Sequence, residues 1–218
     1  MEYLVGDIVR EARVALDQNN SSAQLAVLGD VDTLTLDEII ESKVVDAARL
    51  VESAAPGHLF DNGKVLGGIV VWSGQRGYGS GHIMLPVDFL RLLTFRMSDW
   101  HRPVTEVITA DSPLYAMQSS SYGGVRGNPE RPVVAIVQHG AGLALEFYSC
   151  QSGRDAAVET ALYVPRPAVS GGKIDISSKL RDAIVYRVAS MTAQSINEVN
   201  LAEMLLATSN ALAGIEQQ

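Results

Sequence analysis

The hydrophobic period changes twice along this chain, and that change restricts its fold more than any other feature. Near the N-terminus, Val5, Ile8, Val9, Ala12, Ala15 and Leu16 recur at the three-and-four spacing of one apolar helical stripe. Thr35 and Glu38 have the spacing of a capping box, in which hydroxyl and carboxylate each satisfy a free backbone N–H. A second helix is therefore expected from there to about Ala55, carrying Leu36, Ile40, Val44, Ala47, Ala48 and Val51 on one side, until Pro56-Gly57 stops it. The intervening polar stretch from Asp17 to Asp32 reads as a loop. Near the other end, Ser177 is placed to cap a helix bearing Leu180, Ile184, Val188 and Met191. Asn197 is placed to cap or kink a further helix with Val199, Ala202, Leu205, Leu206 and Leu212.

Between these ends the texture is that of strands and turns. LGGIVVW (66–72) is a β-branched run, and the glycines of SGQRGYGSG (73–81) suggest a flexible hairpin tip before HIMLP. In VDFLRLLTFRMSDW, Pro86 opens a turn ahead of a strand. VVAIVQ (133–138) and LALEFYSC (143–150) are joined by HGAG, a hairpin-length connection with glycine. ETALYVP (159–165) is another strand, and Ser112-Pro113 starts a short capped helix. Helices, then strands, then helices argue for an α+β fold rather than a doubly wound sheet. The expectation is that the terminal helices (residues 1–62 and 174–218) form a bundle with a β-rich insertion (63–173) between them.

Charge and cysteine content narrow the function classes. Residues 1–62 hold 12 acidic against four basic side chains, and the remainder holds 13 of each, so the net charge of −8 lies in the N-terminal part. A stable nucleic-acid binder needs a clustered basic surface, which this is not; the acidic face is either simply solvated or one that DNA passes without sticking. The single cysteine, Cys150, excludes an internal disulfide and fits a reducing compartment. MEYLVGDIVREAR has no apolar run long enough for a signal peptide, and nothing approaches the roughly 20 apolar residues of a membrane span. A soluble, intracellular protein with no membrane partner is expected.

Motifs with chemistry fail one by one. Gly77, Gly79 and Gly81 approach a dinucleotide fingerprint, but His82 occupies the last glycine position and a strand-like run follows where a helix must open. Gly172-Lys173 lacks the earlier glycine of a phosphate loop (Pro167 stands there) and has Ile174 in place of Ser or Thr. His58, His82, His101 and His139 form no local metal-ligand pair, although a site assembled from distant residues stays open. Ser80 is not in a nucleophile elbow, and Cys150 ends an apolar strand, as small buried hydrophobes do. Asp37 and Glu38 complement a helix dipole. No catalytic residue, cofactor or metal is implied, and a non-enzymatic protein is expected.

One segment points to contacts. SDWHRPVTE (98–106) gathers Trp100, His101 and Arg102, residue types that dominate binding hot spots; alternatively, Trp100 anchors a core beside a surface arginine. Between residues 63 and 167, eight arginines accompany a single lysine, Lys64, and arginine suits interface ion pairs better.

The runs LPVDFLRLLTFRMSDWHRPVTEVI, DSPLYAMQ, RGNPERPVVAIV, LEFYS, ALYVPRP and LRDAIVYRVASMTA, spanning roughly residues 85–195, resemble tailed-bacteriophage head-to-tail connector proteins, the adaptor or tail-tube gatekeeper type. The resemblance implies a homo-oligomeric ring, a dodecamer, bound to a portal protein above and a tail nozzle or tail tube below. It further implies a virion location, assembly in the bacterial host cytoplasm, and DNA passing through the lumen without specific binding. It carries no catalytic residue to this chain. Two rival classes remain: a small-ligand or nucleotide-dependent enzyme using the 73–82 glycine loop, and a bacterial scaffold protein.

Overall fold

A computed structural model of the chain describes residues 1–16, 34–61, 63–73, 79–122, 124–140, 142–150 and 155–215. The loop expected at Asp17–Asp32 and the tip of the expected glycine hairpin lie outside these residues. The chain divides into two compact units, Met1–Asn62 with Arg166–Gln218, and Gly63–Pro165.

In the first unit, β1 (Glu2–Leu4) leads directly into α1 (Val5–Ala15), which buries Val5, Ile8 and Ala12, with Leu16 just beyond it. The helix α2 (Leu36–Ala54) begins at the expected capping box: Thr35 Oγ1 accepts the Glu38 N–H at 3.3 Å, and Glu38 Oε2 accepts the Thr35 N–H at 2.7 Å. Its apolar stripe, from Leu36 to Val51, is buried as its spacing requires. After the chain returns to this unit at Arg166, α4 (Arg181–Ser195) follows a 3-10 turn, Ser178–Leu180, and packs against α1 and α2. Asn197, at φ 65°, turns the chain into α5 (Val199–Leu212), which packs on α4 through small residues. There Ser190 Oγ donates to the Ala202 carbonyl at 2.8 Å, and Ser209 Oγ to the Ala183 carbonyl at 2.7 Å.

The expected architecture, a bundle of terminal helices around a β-rich insertion, is not what forms. The chain opens on a strand. β1 pairs antiparallel with β11 (Lys173–Asp175), which pairs with β10 (Val169–Ser170), so the helices share their unit with a three-stranded sheet. The short helix expected at Ser112-Pro113 forms in the β-rich middle as α3 (Pro113–Met117). The class stays α+β, but strands and helices are not segregated as the periodicity suggested. Three residues at a chain end are too few to show a period, and β1's partner lies far along the sequence. The hairpin of β10 and β11 turns at Gly171 and Gly172, both in the left-handed region, and the second crossing between units falls at Arg166 rather than at residue 174.

Ser177 also departs from its expected role. Its hydroxyl makes no cap bond and donates instead to the Leu59 carbonyl at 2.7 Å. The free N–H groups at this helix start are taken by carboxylates from elsewhere: Ser177 N–H by Glu52 at 3.2 Å, and Ser178 N–H by Asp61 at 2.6 Å.

The second unit holds two sheets. One is antiparallel, in the order β2 (Lys64–Val65), β9 (Val158–Pro165), β5 (Phe89–Met97). The other runs β3 (Val71–Trp72), β4 (Gly81–Met84), β8 (Gly142–Phe147), β7 (Val134–His139), β6 (Ile108–Thr109), with only the β6–β7 pair parallel. The run expected to be one strand at 66–72 is extended but paired as β3 only at its end, because Gly68 sits at φ 146°, outside what a strand of L-residues adopts. Phe95 of β5 stacks on Phe147 of β8 at 5.9 Å, joining the two sheets' inner faces into one core with Ile83, Met97 and Leu145.

Candidate functional site

Strand alternation on the five-stranded sheet sends Phe147, Leu145 and Ile83 inward and turns the alternate residues outward. His82 and Glu146 therefore stand opposite one another on that other face, on β4 and β8. On β7 the same face carries Ala135, Val137 and, next to the hairpin turn, His139. The register sets His139 away from the level of His82. Their ring centroids nevertheless lie 4.1 Å apart with planes tilted by 32°, so the β7–β8 hairpin curls towards β4 over this face. Gly140, at φ 56°, makes the turn.

The result is a pocket of about 350 Å³ lined by Ser73, Ser80, Gly81, His82, Tyr115, Val137, Gln138, His139, Glu146 and Tyr148. Glu146 is fixed in it by hydroxyls. Tyr115, from α3, donates to Oε2 at 3.3 Å, and Tyr148 donates to the same oxygen. α3 reaches this position because Ser112 Oγ accepts the Leu114 N–H at 3.3 Å and Pro113 supplies a pre-set first helical residue. Burial, and then the neighbouring His139, hold the His82 imidazole below its ordinary range, with Glu146 opposing them. The pocket thus presents an imidazole biased towards its neutral form, an oriented carboxylate and two phenols. With planes only 32° apart, the in-plane lone pairs of the stacked imidazoles run side by side instead of meeting at one point, which suits stacking and not shared coordination of an ion. Among the described residues, no group of three or more His, Cys, Asp or Glu is disposed to hold a metal.

Of the residues singled out from the sequence, Ser80, Gly81, His82 and His139 meet in this pocket, whereas Trp100, His101 and Arg102 do not converge. Trp100 is 1 % exposed and edge-on to Phe95 at 5.6 Å. Arg96 Nε donates to the Trp100 carbonyl at 3.1 Å and so fixes this turn. Trp100 is therefore a core anchor, while His101 and Arg102 are exposed beside it; the three do not form one contact surface. The described glycines of the 73–82 loop serve packing. A Cβ on Gly79, at φ +63°, would lie 1.7 Å from the Cys150 carbonyl oxygen, and one on Gly81 would lie 2.8 Å from both Phe147 Cζ and the Val71 carbonyl.

Four pocket residues, Tyr115, His139, Glu146 and Tyr148, could not be assembled by spacing. One signal was available: Glu146 is a lone carboxylate inside the apolar run LALEFYSC. Together, fold and site define a two-unit α+β protein with an open polar pocket on its larger sheet. No protein-family model matches the chain, and no curated protein matches it.

Proposed function

We propose that this chain is a structural assembly protein, a head-to-tail adaptor that forms a ring between a phage portal and a tail nozzle or tube. The resemblance of residues 85–195 to connector proteins motivates the reading, and the surface of α5 supports it. Val199–Leu212 contains one charged residue, Glu203, in 14 residues, and Val199, Met204 and Leu212 are exposed. Exposed apolar side chains on a helix with a single charge are the kind of surface that other protein covers. A head-to-tail contact of this kind, repeated around a rotation axis, closes a ring. The chain alone is expected to be monomeric or weakly associated, with portal protein driving assembly. Mixing the purified chain with portal protein, followed by native mass spectrometry and negative-stain imaging, tests this. Rings seated on the portal are expected, and Met204→Glu should reduce their yield. A chain that neither self-associates nor binds portal protein defeats the proposal.

A second reading, a small-ligand or nucleotide-dependent enzyme, is favoured by the pocket at the end of the 73–82 loop, with His82 available as a base and Glu146 as an oriented carboxylate. A thermal-shift panel of nucleotides and divalent metals separates the two, since specific binding to the native state raises the midpoint.

A further inference from the structure

We propose that the His82–His139 ring pair is an acid-sensitive latch, which holds the β7–β8 hairpin over β4 at neutral pH and releases it when the imidazoles take up protons. The two rings come from strands that are not neighbours in the sheet, and their centroids are 4.1 Å apart. As neutral imidazoles they stack like any offset aromatic pair. As two cations at that separation they repel, by an amount that solvent exposure reduces: His82 is half-buried and His139 exposed. On β8 the residues opposite His139 and Val137 are the small Gly142 and Ala144.

Among the described residues, the titratable groups facing the pair are Glu146 from β8, Tyr115 from α3 and Tyr148 beyond β8, with Ser73, Ser80 and Gln138 as neutral polar neighbours. Glu146 is the one anion, and it lies opposite His82, so it favours one proton on the pair while opposing nothing at the second. The first proton is tolerated and the second forces the rings apart. The sign follows from His82: its imidazole binds protons less readily in the fold than in the open chain. The latch is therefore intact above the ordinary imidazole value of about 6.5 and weakens as pH falls below it. This inference is independent of ring assembly.

The test uses the full chain. Proton NMR of the imidazole Cε1–H signals is scanned from about pH 8 to about pH 4.5, in buffer and again in denaturant, where the unfolded chain supplies the reference. His82 is expected to titrate lower in the folded chain than in the unfolded one, and that difference is expected to shrink in His139→Gln, which removes the neighbouring ring. Hydrogen exchange corrected for intrinsic rates supplies the conformational readout. Protection over β4 and the β7–β8 hairpin is expected to fall roughly tenfold between about pH 7.5 and pH 5.5 in the parent chain and to stay constant in His139→Phe, which keeps a stacking ring that cannot charge. A His82 midpoint that does not change on unfolding, or the same loss of protection in His139→Phe, overturns the proposal.

Discussion

Glu52 offers the sharpest test of how the first unit is held together. It lies on the last turns of α2, 3 % exposed, and its Oε1 accepts the Ser177 N–H at 3.2 Å, tying α2 to the turn that starts α4. Burial raises its carboxyl from 4.5 to about 7; the Ser177 N–H and the N-terminal ammonium oppose that rise, and Asp175 adds to it. Asp175 is itself paired with the Met1 ammonium at 2.8 Å. Because the folded state binds this proton more tightly than the unfolded chain, the contribution of Glu52 is most favourable below its unfolded value. It is lost progressively as pH rises from about 4.5 to about 7, and is flat above that. A gap of about 2.5 units at 1.36 kcal/mol each puts the full effect near 3 kcal/mol. Glu52→Gln keeps a carbonyl oxygen for the Ser177 N–H and removes the charge. It should match the parent chain near pH 4.5 and exceed its stability by about 2–3 kcal/mol at pH 8. The assay is urea unfolding at several pH values followed by far-ultraviolet circular dichroism, dominated by α1, α2, α4 and α5. Both tryptophans, Trp72 and Trp100, lie in the other unit, so fluorescence reports that unit separately. An identical pH dependence in parent and variant refutes the argument.

Three further outcomes follow from particular contacts. Gly79→Ala forces a Cβ into the Cys150 carbonyl at a left-handed φ and should destabilise the second unit by at least about 2 kcal/mol, read by tryptophan fluorescence in denaturant. Trp100→Ala should cost about 3–5 kcal/mol in the same assay, whereas Arg102→Ala, an exposed change, should stay within about 0.5 kcal/mol. Burial pushes the Cys150 thiol up to about 12, so a thiol reagent at pH 8 should leave it unmodified until denaturant is added; rapid labelling of the native chain contradicts its placement.

What could be read from the sequence was local. The stripes of α1 and α2, the Thr35–Glu38 box, the Ser112 cap and the β7–β8 hairpin with its glycine depend on residues within a turn or two of each other, where period and capping chemistry act. The glycines of the 73–82 loop marked the connection of a hairpin, which β3 and β4 form; that Gly79 and Gly81 also admit close approach of Cys150 and Phe147 is announced by no neighbouring residue. Tertiary structure alone decided the rest. Strand β1 exists because Lys173–Asp175 receives it, and the start of α4 is capped by Glu52 and Asp61 because the fold delivers two distant carboxylates there. The pocket exists because sheet register faces His82 to Glu146 and the hairpin's curl brings His139 onto His82. Local free energies are written in neighbouring residues; which distant groups meet depends on how the buried faces of whole elements pack, and that is settled only when the chain closes on itself.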